Sequence, residues 1–277
     1  MTVTPLADLA RLCVHTITTK PWPLEQAAFE YARAGVRGIT VWREALEGRD
    51  PERAGELLRS HGLSLVSLCR GGFFAHVEEA ARRQALADNR AAIEQAAALG
   101  APMLVLVCGA APGQALERSR EQIRAGIEAI LPHAEKHGVR LAIEPLHPMY
   151  ADSRSAINTL AQATDLALAI GSEALGVAVD VYHVWWDPAL ESEIARCGSA
   201  AKLFAFHVCD WKTPTRDLLL DRGLPGEGCI DIRHIRGCME DAGFCGFIEV
   251  EIFSETHWAS EQEQFLNQIV QSYRAHV

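Results

Sequence analysis

The chain has 277 residues, 49% hydrophobic and 22% charged, enough for one large or two ordinary α/β domains with a sizeable core. A formal net charge of -10 argues against a nucleic-acid partner, because phosphate-backbone binding runs on clustered Lys and Arg. No apolar run approaches the ~18 residues needed to span a bilayer, and the N-terminus MTVTPLADLARLC lacks the layout of a secretory leader, so a cytoplasmic protein acting on a small ligand is expected.

The first candidate strand is RLCVHTI, residues 11–17. After it one pattern recurs: a helical stretch, a glycine and a short apolar strand, as in EYARAGVRGITVW, LLRSHGLSLVSLC, QAAALGAPMLVLVC, AEKHGVRLAIE, LALAIGSEALGVAVD, IARCGSAAKLFAFH and MEDAGFCGFIEVE. Gly35, Gly62, Gly100, Gly138, Gly171, Gly198 and Gly243 read as left-handed caps ending helices. Asp50-Pro51 and Asp187-Pro188 each place an N-cap acceptor before a proline that opens a helix. SEQEQFLNQIVQSYRAH supplies a final helix. Eight strands alternating with eight helices predict a single-domain (β/α)8 TIM barrel over residues 1–277. The doubly wound alternative lacks a glycine-rich phosphate loop. The eight cysteines include no CxxC pair and read as small core residues.

Strand ends are expected near Ile17, Trp42, Cys69, Cys108, Glu144, Asp180, His207 and Glu251. In such barrels the chemistry gathers at the C-terminal strand ends. Period-two alternation puts Ala142 beneath Glu144, Ala178 beneath Asp180 and Ala205 beneath His207, so a small residue faces the axis under each polar tip. Strand eight adds Glu251, with Glu249 one layer down at the same parity. Three carboxylates and an imidazole converging on one mouth would repel one another without a cation. One divalent ion is therefore expected, and the oxygen-rich donor set favours Mn²⁺, with Mg²⁺ or Co²⁺ as alternatives.

The stretches AIEPLHP, VDVYHVWWDP, FHVCDW, DRGLPGEGCID and IEVEIFSE resemble the xylose isomerase-like barrel superfamily, in particular its sugar phosphate isomerase/epimerase group with the ketose 3-epimerases and the inositol-catabolic enzymes. The resemblance covers nearly the whole chain. It implies that Glu144, Asp180, His207 and Glu251 are the metal ligands, that Glu144 and Glu251 are also the catalytic acid/base pair, and that His183 contacts substrate.

Further substrate contacts are expected from His147, Trp185, Trp211, Arg70 and His15. For an anion the candidates are Arg70, Arg216, Arg222 or the amides around Gly71-Gly72, and their scatter points to an unphosphorylated sugar, keto-sugar or cyclitol. The match to the relatives' substrate-binding arginine lies open between Arg216 and Arg222. Glu249 is expected to pair with an arginine, or to replace Glu251 if the strand register shifts. The expected activity is isomerisation or epimerisation of a carbohydrate. Loss of water from a keto-inositol or 3-keto-glycoside at the same site is the alternative, and an apurinic endonuclease is disfavoured by the acidic charge. The aromatic loops are compatible with a homo-oligomer.

Overall fold

The computed structural model describes residues 3–277. Eight parallel strands close into a barrel: β1 (Leu12–His15), β2 (Gly38–Trp42), β3 (Ser64–Gly72), β4 (Met103–Val107), β5 (Arg140–Glu144), β6 (Leu175–Asp180), β7 (Leu203–Val208) and β8 (Ile248–Val250). Each pairs with the next, and β8 pairs with β1. Outside them lie α1 (Leu24–Ala34), α2 (Pro51–Ser60), α3 (Glu79–Leu99), α4 (Leu116–Lys136), α5 (Leu160–Ile170), α6 (Leu190–Ser199), α7 (Ile232–Asp241) and α8 (Gln262–His276). The predicted TIM barrel is therefore the observed fold. No helix of the described residues is long and apolar enough to cross a membrane.

Strand alternation divides the core into two layers. Large apolar side chains such as Leu104, Ile143, Val179 and Phe206 pack outward against the helices. Ala142, Ala178 and Ala205 face inward with Met103, Val105 and Cys69 and fill the barrel axis. Register aligns Ala178 with Ala205 and Asp180 with His207, so the alanine layer lies directly under the polar tips.

The predicted cap glycines 35, 62, 100, 138, 171 and 243 all adopt positive φ. Gly198 does not: α6 runs through it, and a Cβ there would lie 2.3 Å from the carbonyl oxygen of Ala242. Its role is close packing of α6 on the end of α7, and Ala201 makes the left-handed turn instead, at φ 55°. Asp50 caps α2 by accepting from Arg53 N. Asp187 accepts from Ala189 N in a turn that precedes α6, so it is not the cap of that helix. β1 ends at His15, earlier than Ile17, whereas β3 continues past Cys69 to Gly72. All eight cysteines are free, and Cys229 and Cys245 are exposed instead of core residues.

The C-terminal ends of the strands carry the irregular structure. A long connection after β7 forms a two-residue antiparallel pairing of Asp210–Trp211 with Arg222–Gly223. Asp210 organises it by accepting from the amides of Trp211, Gly226 and Ile230. The stretch between folds over the barrel mouth, where the carbonyl of Leu218 accepts the hydroxyls of Tyr150 at 2.7 Å and Tyr182 at 2.9 Å.

Candidate active site

Glu144 and Asp180 are the last residues of β5 and β6, His207 is one residue from the end of β7, and Glu251 follows β8. Each offers an atom that could ligate a metal, and these four atoms all lie within 4.8 Å of one another. All four residues are buried. His207 Nδ1 donates to Glu144 Oε1 at 3.0 Å, while its Nε2 is buried without a hydrogen-bond partner. The orphaned nitrogen faces Glu249 Oε2 at 3.8 Å; the three buried carboxylates and one imidazole of the cluster suit a divalent cation with oxygen-rich ligation. The residues present fit such an ion.

Cations of the chain itself already balance part of this charge. Arg222 is buried and reaches Asp180 Oδ2 at 3.0 Å and Glu251 Oε2 at 3.1 Å from one nitrogen, with its guanidinium 4.2 Å from the Tyr182 ring centre. His15 Nδ1 lies 2.9 Å from Glu251 Oε1, and its Nε2 lies 3.0 Å from Glu249 Oε2. Glu249 also accepts from Thr40 Oγ1 at 2.6 Å. Its partners are thus a histidine and a threonine, not an arginine, and Glu251, not Glu249, is the glutamate whose oxygen falls within the cluster with Glu144, Asp180 and His207.

These contacts set the protonation states. Burial raises Asp180 to about 6; Arg222 opposes the shift, while Glu251 and Glu144 reinforce it. Burial alone would lower His207, but Glu249 and the bond to Glu144 outweigh it and bring the imidazole to about 9. His15 is likewise raised, the carboxylates around it overcoming the effect of burial. His183 goes the other way: burial, then Arg222, hold it well below the ordinary range. It is therefore neutral, accepts from Arg222 Nη2 at 3.2 Å through Nε2, and keeps Nδ1 buried and unpartnered.

A narrow cavity of about 20 Å³ lies over Glu144 and Glu251. Of the predicted substrate contacts, Arg70, His183 and Arg222 line it. His147, Trp185 and Trp211 do not line this cavity; they belong to an aromatic cluster in which Trp211 stacks on Tyr182 at 4.8 Å and lies 5.2 Å from His147 and 5.6 Å from Trp185. Trp211 is drawn there by its pairing with Arg222 in the short sheet. His15 does not line the cavity either; at the end of β1 its two ring nitrogens face the carboxylates of Glu251 and Glu249. Arg216 pairs with Asp221 outside the cavity, so Arg222 is the arginine of the site. Arg154, Leu219 and Phe253 line the cavity without having been singled out. Arg154 lies in a polar loop with no motif around it, and only Phe253, two residues beyond Glu251, had a positional signal.

The family model described as xylose isomerase-like TIM barrel matches residues 29–269. The crystal structure of protein SMc04130 from Sinorhizobium meliloti 1021 is 43% identical, with a TM-score of 0.93, covering 97% of this chain and 99% of that one. Inosose isomerase of Bacillus velezensis is 25% identical over 249 residues, 87% of this chain and 84% of that protein. An IOLI protein with a binding zinc atom shares the fold at a TM-score of 0.82 and 19% identity, covering 95% of this chain and 96% of that one. The chain belongs to the xylose isomerase-like TIM barrel family.

Proposed function

We propose that this chain is a divalent-metal-dependent isomerase or epimerase of a small hydroxy-ketone, a keto-sugar or an inosose, with Mn²⁺ as its preferred ion. The observation that carries the reading is the buried convergence of Glu144, Asp180, His207 and Glu251 at the C-terminal end of the barrel. Its likeness to an inosose isomerase supports the same reaction class.

Glu144, Asp180, His207 and Glu251 would hold the ion. A divalent ion there supplies positive charge beside the substrate carbonyl and so acidifies the adjacent C–H. Glu144, at the end of β5, removes that proton and releases it to solvent, and Glu251, across the mouth beyond β8, takes a proton from solvent and delivers it to the substrate, ending ionised as it began. His183, neutral and with a free Nδ1, and Arg222 orient the substrate oxygens. The Tyr150 and Tyr182 bonds to Leu218 keep the overlying loop shut and water out.

The test combines metal analysis of the purified protein with solvent-deuterium exchange into ketoses and inososes. One ion per chain, lost in Asp180→Ala and His207→Ala, and exchange abolished in Glu144→Gln, are expected. A wild type that takes up no ion on titration, or a Glu144→Gln variant that exchanges normally, sinks the proposal. Product mass separates isomerisation, which conserves it, from loss of water.

A further inference from the structure

Three arginines line the cavity over Glu144 and Glu251, and only one of them is neutralised. Arg222 is paired with Asp180 and Glu251. Arg70 and Arg154 have, among the described residues, no ion-pair partner within 4.0 Å. Each is supported by an aromatic ring, Arg70 4.4 Å from the Phe73 centre and Arg154 5.5 Å from that of Tyr150. Aromatic faces hold a guanidinium without cancelling its charge. Arg70 Nε is, in addition, buried with no hydrogen-bond partner.

The carboxylates that line the cavity with these two arginines are already engaged, Glu144 by His207 and Glu251 by His15 and Arg222, and Glu44, whose charge acts on Arg70 from the adjoining cleft, makes no ion pair with it. Burial first, and then the charge of Arg154, weaken the hold of Arg70 on its proton, with Glu44 and Glu144 opposing the shift, so two cations without ion-pair partners share one wall of the site. Such an arrangement is unfavourable in the free protein and becomes favourable when a ligand brings negative charge.

The scaffold holds Arg70 rigidly. Asn89 accepts from Gly72 N at 2.6 Å and donates to Gly72 O at 2.7 Å. A Cβ on Gly72 would lie 1.9 Å from Val107 O, and one on Gly71 would lie 2.6 Å from Asn89 Oδ1. The Arg154 backbone is fixed as well, its amide donating to Tyr150 O and its carbonyl accepting from Gly109 N. The other anion candidates are spent: Gly72 N on Asn89, Phe73 N on Val107 O, Arg216 on Asp221 and Arg43 on Asp88.

We infer that the substrate carries an anionic group, a carboxylate or a phosphate, at the end remote from the reacting carbons, and that Arg70 and Arg154 bind it on the side where the narrow cavity adjoins, through Arg70, a cleft of about 370 Å³ whose lining includes Glu44, Phe73 and His76. The inference rests on the isomerase reading of the same site and departs from the expectation that scattered arginines mean a neutral sugar.

Matched ketoses test it on the manganese-loaded protein: D-fructose, D-fructose 6-phosphate, and D-fructuronate, which is the same ketose with a carboxylate at carbon 6. Dissociation constants are measured by calorimetry and solvent-deuterium exchange by NMR. One of the two anions is expected to bind at least about tenfold more tightly than D-fructose. A preference for fructuronate identifies a carboxylate, and a preference for the phosphate ester identifies a phosphate. The ratio of anion to neutral affinity should collapse in Arg70→Met and Arg154→Met, and Arg70→Lys should recover part of it; thermal midpoints verify folding. Equal affinity for all three ligands, or an anion preference that survives both methionine variants, overturns the inference. Exchange with fructose but no anion preference would leave the isomerase reading standing alone. An arginine-dependent preference without exchange in any ketose would leave the anion site standing and remove the isomerase reading.

Discussion

Arg222 Nη1 lies 3.0 Å from Asp180 Oδ2, with both side chains shut off from solvent. The same nitrogen serves Glu251, so one guanidinium supports two of the four residues proposed to hold a metal. Arg222→Met leaves Asp180 without its cation and Glu251 with His15 alone, and removing one partner of a buried pair costs about 3 kcal/mol or more. Urea unfolding with a chelator present should show that loss, and Mn²⁺ should restore part of it. A chelated variant as stable as the wild type would contradict the pairing.

Metal uptake should release protons. His207, raised to about 9, is protonated at neutral pH and must become neutral to ligate. Between pH 6.5 and 8, uptake is expected to free about one proton per ion, with a larger release below the Asp180 value of about 6 as that carboxyl ionises too. Affinity therefore rises with pH. The metal-free protein should show the opposite trend at this residue: the stability His207 contributes is complete below its unfolded value and is lost as pH rises through 9. Calorimetry in buffers of differing ionisation enthalpy reads the proton count, and proton-neutral uptake would refute it.

Glu249 and Glu251 should separate by metal affinity. Glu249 contacts His15 and Thr40 below the cluster, so Glu249→Gln is expected to weaken Mn²⁺ binding by about 10- to 100-fold, as for other residues that orient ligands. Glu251→Gln should remove a ligand outright and abolish stoichiometric binding. Equal effects in the two variants would mean that the assignment along β8 is wrong.

The loop over the mouth is held by two tyrosine hydroxyls on one carbonyl. Tyr150→Phe deletes the 2.7 Å bond to Leu218 and about 1 kcal/mol of closure, which should raise KM several-fold and speed amide hydrogen exchange in residues 214–220. Unchanged exchange protection in this segment would show that the tyrosine does not hold the loop.

Strand and helix order, the closure at eight strands and the four converging tips were legible in the sequence because each rests on short-range rules. Period-two alternation placed Ala142, Ala178 and Ala205 under Glu144, Asp180 and His207, and positive-φ glycines marked six helix ends. Gly198 misled because a glycine required for close helix packing looks the same in sequence as one required for a turn. Loop residues obeyed no such rule. His147, Trp185 and Trp211 were drawn into an aromatic cluster, Arg154 arrived from a loop that carried no motif, and even the strand residue His15 was taken up by the carboxylates of Glu249 and Glu251. Which polar side chains meet above the barrel depends on chain segments far apart in sequence being brought together by closure, and on which charges find partners once there. Local periodicity carries no information about either, so the four-residue cluster could be read from the chain and the unpaired arginines beside it only from the fold.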